Sequence, residues 1–361
     1  MQDTRMILAC VVTALTSIVA ITVLQRFAAP LGLVDHPNER KHHVGSVPLI
    51  GGLAMYSGIL AGALVYGRFH TFENTLLATA GILVLLGAAD DRFDLSVRTR
   101  LLVQTTLILT VVGSTGVYIH TLGHIFGYRL ELGWVGIPLT VIAVIGLLNA
   151  FNMMDGIDGL AGGLALVSIA AITLFAGPTT LQGTVALMTL LATAAIPYLA
   201  ANLGLTGRKI FMGDAGSMLL GYLLAWSLIR LSQQPGTHLS PVDVLWCVAL
   251  PVLDTLAVMY RRMRLGRSPF KPDRGHIHHI LLGMGLSPRA SLVALIALAA
   301  SIALFGHVTS SLGLGSGSNL AAFCILSMTY TMTVMRIWMS QQARLGVHRT
   351  GPVAANDNHA I

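Results

Sequence analysis

Apolar runs recur along the whole chain, separated by short polar segments. Eleven of them read as helices through a bilayer: 6–26, 48–66, 74–89, 101–119, 134–150, 159–177, 181–200, 214–232, 242–260, 290–306 and 318–338. Most are near the ~20 residues that a crossing needs. The first is expected to be a span, not a cleaved leader, because its apolar core is long and Arg26, Pro30 and a polar loop follow it. No soluble domain, internal repeat or low-complexity tract stands out. The pattern predicts an all-α polytopic membrane protein of about eleven transmembrane helices. It divides into one transmembrane domain over 1–340 and a short cytoplasmic tail over 341–361, expected to be disordered.

Composition agrees. Of 361 residues, 54% are hydrophobic and only 10% charged, against about 25% charged in a soluble domain. The net charge of +7 therefore bears on orientation and lipid headgroups. No basic stripe with interleaved aromatics suggests nucleic acid. Arg5, Arg68, Arg129 and Arg230 fall on one set of alternating ends and loops, and every other Lys and Arg falls on the opposite set. The positive-inside rule then puts the N-terminus in the periplasm and the C-terminus in the cytoplasm. Cys10, Cys247 and Cys324 lie inside apolar runs without a CxxC spacing and read as small core residues.

Asp35, Asp90, Asp91, Asp94, Asp155, Asp158 and Asp214 share the cytoplasmic side with His276, His278 and His279, whereas Glu73, Glu131 and Asp243 are isolated on the other. Asp254 is the exception, inside the ninth span three residues after Pro251. Basic loops do not require acids to accompany them, so the gathering points to one cytoplasm-facing site.

The stretch 149–163, NAFNMMDGIDGLAGG, places Asn152, Asp155 and Asp158 between two apolar runs. Carboxylates so close to hydrocarbon cost several kcal/mol unless a cation, water or partner solvates them. With a helix from Gly159 onward, Asp155 and Asp158 would be one turn apart on one face; a plain aspartate cap is the alternative. Asp90 and Asp91 are adjacent, so their like charges need compensation at an interface. Asp214 opens a helix between Gly213 and Gly216, where backbone N–H groups can approach a diphosphate. Asp35 and Pro37 set a turn, and Arg40, Lys41, His42 and His43 form a basic knot before the second run; Arg40 and Lys41 alone would serve as a lipid anchor. Arg274, His276, His278 and His279 crowd a short loop that suits a sugar diphosphate better than zinc, since no cysteines accompany them.

Together the motifs DHPNERK, DD, NAFNMMDGIDGLAGG, FMGDAGS and DRGHIHH resemble the polyprenyl-phosphate N-acetylhexosamine-1-phosphate transferases, in that family's order from about Asp35 to Leu286. The HIHH spelling and Ser46-Val47-Pro48 favour the branch that uses N-acetylglucosamine over the peptidoglycan branch. The resemblance implies transfer of GlcNAc-1-phosphate from UDP-GlcNAc to undecaprenyl phosphate at the bacterial inner membrane, with Mg²⁺ or Mn²⁺, to initiate O-antigen or a related surface polysaccharide. It implies catalytic roles for Asp90 and Asp91, and metal ligation by Asp214, Asp91 and Asp155. Asn152, Asp155, Asp158, Arg274, His276, His278 and His279 would hold the nucleotide sugar. Asp35, Arg40, Lys41 and His43 would hold the lipid phosphate. Oligomeric state stays open, a homodimer included. An intramembrane prenyltransferase, read from DDRFD, and a cation transporter are the competing classes; a transporter would place charges on both faces and near mid-membrane.

Overall fold

The structure is a computed structural model that describes residues 2–35, 45–177, 181–234, 238–268 and 275–349. Helices dominate it. They are α1 (Gln2–Phe27), α2 (Gly51–Tyr66), α3 (Thr71–Phe93), α4 (Val97–Thr115), α5 (Gly136–Met154), α6 (Leu160–Ala176), α7 (Gln182–Asn202), α8 (Gly213–Ser232), α9 (Asp243–Cys247), α10 (Ala249–Arg264), α11 (Ile277–Gly283), α12 (Pro288–Ser311) and α13 (Ser316–Arg349). Each predicted run is helical, the ninth being split at Val248 between α9 and α10. Pro251 is tolerated just after that break because first-turn N–H groups have no intrahelical partner. By length and apolar composition seven helices among the described residues can cross a membrane: α1, α3, α5 with the 3-10 turn before it, α7, α8, α12 and α13, with α2 and α6 shorter. The protein is thus a helical, multi-pass membrane protein.

Helix α8 is the axis of the bundle. Every residue from Ala215 to Ile229 is buried, as expected for a helix that is apolar all round and enclosed by others. Small residues let its neighbours come close, the usual device where lipid supplies no hydrophobic drive between helices. A methyl group at Gly52 of α2 would lie 2.2 Å from the Gly216 nitrogen, and one at Gly87 of α3 2.4 Å from Ala215 Cα.

These approaches bring several helix ends together. The C-termini of α3 and α5 meet the N-termini of α4, α6 and α8. Strands β1 (Val34–Asp35) and β2 (Val47–Pro48) pair beside them. Phe211 donates to the Pro48 carbonyl at 2.8 Å, and Gly51 donates to Phe211 at 3.0 Å, which ties the first polar loop to the start of α8. The opposite end carries a hairpin, β3 (Thr121–Ile125) and β4 (Tyr128–Glu131), whose two-residue turn has Phe126 and Gly127 both at positive φ. Gln233 fixes it by accepting from His120 and Thr121 at 2.8 and 3.1 Å. Cys10 is half-buried, Cys247 buried and Cys324 exposed. The last therefore lies outside the core expected for all three, and no disulfide joins them. The helix α13 continues across the 340/341 boundary drawn from sequence; residues 350–361 lie outside the described set.

Candidate active site

The acids of α3 diverge in their use. Asp90 is buried, and both of its oxygens are occupied: Oδ1 accepts from Leu95 N at 2.8 Å and Oδ2 lies 2.6 Å from Arg100 Nη1. Asp91 turns toward α8, where Oδ1 accepts from Asp214 N at 3.0 Å and Oδ2 is buried with no partner. Gly213 makes this possible. Its φ is +68°, and a Cβ there would sit 2.4 Å from Asp91 Oδ2, so a side chain would be both strained and obstructed. Asp94 caps α3 in a left-handed conformation and is exposed. The DDxxD spelling is therefore not one acidic helix face, which removes the basis of the prenyltransferase reading.

Asp214 lies in the first turn of α8. Its Oδ1 accepts from Asn152 Nδ2 at 2.6 Å, and its Oδ2 is 3.6 Å from Arg100 Nη1. Asn152 also donates to Ser217 Oγ at 3.0 Å. Three separate motifs thus meet in one hydrogen-bonded set: the paired aspartates, the NMMDGIDG loop and the start of α8. Arg100 stands between Asp90 and Asp214 and had counted only as a positive-inside charge. Its proximity could be found only in the fold, because α4 must turn back at Ser96, whose hydroxyl accepts from Thr99 N, before Arg100 faces α3.

Asp155 and Asp158 do not share a helical face. Helix α5 ends at Met154 with Asp155 as its cap, and α6 starts only at Leu160 after Gly159 at φ +80°. The two acids sit along the intervening turn, which Asn202 holds by accepting from Gly159 N at 2.6 Å. Asp158 pairs with Lys209 at 2.6 Å. Asp155 is different. Burial first, and then the charges of Asp214, Asp91 and Asp158, push its carboxyl up to about 7.

The histidine loop docks against this turn. His278 is 1% exposed, and neither ring nitrogen has a partner. A Cβ at Gly156 would lie 2.0 Å from its Nε2. Burial and the neighbouring His279 and His276 push the imidazole down to about 3, so it is neutral at physiological pH. The His276 ring stacks parallel to it at 5.9 Å, and the His279 ring lies 4.2 Å away. His276 is held by Asp254, at 2.7 Å; the intramembrane acid noted in the sequence thus gains a partner that the sequence did not reveal. Asp35 lies on β1 at the same end of the bundle. Arg40, Lys41, His43 and Arg274 lie outside the described residues.

Among the described residues no group of three His, Cys, Asp or Glu is already arranged around a metal position. The donor chemistry nevertheless fits a hard divalent cation. Asp91, Asp155 and Asp214 are carboxylates, the charges of Asp214 and Asp91 raise the cost of ionising Asp155, and one buried oxygen of Asp91 lacks any partner.

The site is thus acid-rich and bordered by bases, at one end of a lipid-embedded helical bundle. Residues 74–232 match the family described as glycosyl transferase family 4. Relatives named undecaprenyl-phosphate alpha-N-acetylglucosaminyl 1-phosphate transferase extend the match over most of the chain. That of Yersinia pestis is 39% identical over 328 residues, 90% of each chain. That of Escherichia coli K12 is 43% identical over 305 residues, 81% of this chain and 82% of the relative. That of Haemophilus influenzae is 36% identical over 331 residues, 91% and 93%. The chain belongs to this transferase family.

Proposed function

We propose that the protein transfers GlcNAc-1-phosphate from UDP-GlcNAc to undecaprenyl phosphate, giving undecaprenyl-diphospho-GlcNAc and UMP. The observation that carries this reading is the meeting of Asp91, Asp214, Asn152 and Arg100 at a membrane-embedded end of the bundle. An acceptor-phosphate oxygen attacks the sugar-proximal phosphorus, the bond from that phosphorus to the bridging oxygen breaks, and its electron pair leaves with UMP. A phosphate monoester has a second pKa near 6 and is already largely deprotonated, so no side chain has to remove a proton. Asp90 has both oxygens engaged and serves to aim Arg100, whose cation offsets the repulsion between two anionic reactants. A narrow cleft lined by Val97, Leu101, Gln104, Leu148, Asn149 and Met218 opens beside Arg100 and Asn152. Neutral His278, with two free nitrogens, suits a hydroxyl or amide of the nucleotide sugar rather than a phosphate.

Asp91, Asp155 and Asp214 would hold Mg²⁺ or Mn²⁺, which when bound neutralises diphosphate charge. The count of about eleven spans, the periplasmic N-terminus and the inner-membrane location belong to the same proposal, as does initiation of O-antigen or a related polysaccharide. Lys and Arg asymmetry supports the orientation. In a cysteine-free background, Tyr128→Cys on the hairpin should react with an impermeant reagent in intact cells and Ser268→Cys should not. For the chemistry, UDP-GlcNAc labelled at the sugar-proximal phosphorus should give labelled lipid plus UMP, and added UMP should reverse the reaction. Release of labelled UDP would overturn phosphoglycosyl transfer.

A further inference from the structure

Asp254 takes no part in the steps above, yet it is fully buried and receives three donors. Its Oδ2 lies 2.7 Å from His276 Nδ1, and its Oδ1 accepts from Ile277 N at 2.9 Å and from the Tyr330 hydroxyl at 3.0 Å. Two donors belong to the histidine loop and the third to α13. Two turns further along α10, Arg261 donates from Nη1 to the Gly275 carbonyl at 2.8 Å, with its guanidinium 4.8 Å from the ring centre of Trp338. Trp338 is itself about two turns beyond Tyr330. One turn on again, Gln341 Nε2 donates to the Ile280 carbonyl at 2.9 Å. Residues 275–280 are therefore gripped between α10 and α13, two helices outside the 74–232 family match.

We propose that α13 is a clamp on the donor side of the site, with Asp254 and Tyr330 as positioning residues that fix the orientation and tautomer of His276. A carboxylate can only accept, so Nδ1 must carry the proton and a neutral ring offers Nε2 as its free acceptor. Its parallel stacking on His278 then transmits the setting to the imidazole that meets the NMMDGIDG turn. Tyr330 restrains Asp254 from the far side, so the last helix contributes to substrate binding without touching substrate. This inference rests on assigning the histidine loop to UDP-GlcNAc.

The test uses the purified full chain in detergent with UDP-GlcNAc and undecaprenyl phosphate. Asp254→Asn should raise the donor KM roughly tenfold, the scale of a hydrogen bond to a charged group, and Tyr330→Phe about threefold. The acceptor KM should stay unchanged in both. Nitrogen-15 spectra of the histidines should show Nδ1-protonated His276 in the parent protein and a tautomer mixture in Asp254→Asn. Tyr330→Phe keeps the ring and its packing, so it tests the clamp even if Asp254→Asn does not fold. Equal changes in both KM values, or a donor KM that does not move in folded Tyr330→Phe, would overturn the proposal. Failure of the parent protein to use UDP-GlcNAc would instead sink the donor assignment, and the nitrogen-15 result would still decide whether Asp254 sets His276.

Discussion

Helix α3 carries Glu73 near its start and Asp91 near its end, and the two are treated in opposite ways. Glu73, at its start, accepts from the Thr184 hydroxyl at 3.0 Å and from His70 N at 3.3 Å. Asp243, at the same end of the bundle, accepts from Asn319 Nδ2 at 2.8 Å, Ser240 N at 3.0 Å and Ser310 Oγ at 3.4 Å. Neutral donors surround each of these carboxylates. At the other end, Asp91 keeps one buried oxygen without a partner, and Asp155 and Asp214 face further carboxylates. Burial alone does not distinguish the groups, since every one of them is removed from water to some degree. The difference is in what solvates the charge: protein donors at one end, and at the other a requirement that only a cation or ligand can meet.

The strongest way to break that contrast is to neutralise one acid at each end. Asp214→Asn or Asp91→Asn should lower turnover by about 100-fold or more, the scale of losing one charge-stabilising group in an active site. The thermal midpoint without metal should hold or rise, because like-charge repulsion is relieved. Glu73→Gln and Asp243→Asn should do the reverse. Each disturbs a satisfied buried group at a cost of about 1–3 kcal/mol, lowering the midpoint while turnover per folded molecule is retained. A Glu73→Gln protein with an intact midpoint and lost turnover would end the distinction. The measurements are thermal melts and product formation on the same detergent-purified samples.

A second test concerns how the histidine loop meets the acidic end. Gly156→Ala would put a methyl group 2.0 Å from the present position of His278 Nε2. His278 has little room to retreat, being 1% exposed and beside two other imidazoles. The loop should therefore be displaced, raising the KM for UDP-GlcNAc by about fivefold, the scale of one lost neutral hydrogen bond, with the acceptor KM little changed. Unchanged donor kinetics would mean that His278 does not need its seat on the turn.

The helical runs and the grouping of acids were legible because both follow from composition: lipid demands apolar helices, and a charge beside them stands out. Asp214 at a helix start was legible too, from Gly213 and Gly216. Three features were not. Asp155 and Asp158 have helical spacing, but Gly159 at positive φ delays α6 and leaves them in a turn. Arg100 is one of many basic residues in the loops, and only the return of α4 at Ser96 selects it. Tyr330 lies 76 residues from Asp254, and an apolar helix with one tyrosine gives no signal that its hydroxyl holds a distant carboxylate. Local pattern could mark which residues were unusual, whereas partner choice depended on packing around α8.

The last test is the most discriminating, because it reads the unsolvated charge directly without turnover. Asp155 titrates near 7 in the folded protein and near 4 when unfolded. Its native-state pKa is raised, so between those values the native state holds more protons than the unfolded one. Stability therefore falls as pH rises through that interval, with Asp155's favourable contribution complete below the lower value and lost above the upper. Metal-free protein should thus melt at progressively lower temperature from about pH 4 to pH 7. Asp155→Asn should flatten that slope and raise the midpoint at neutral pH, since an amide carries no charge to desolvate. Asp243→Asn should lower the midpoint by disturbing a hydrogen-bonded buried carboxylate at the other end of the bundle. If Asp155→Asn melts with the parent's pH dependence, the Asp155 charge is already solvated by the protein, and the two ends of the bundle differ in position alone.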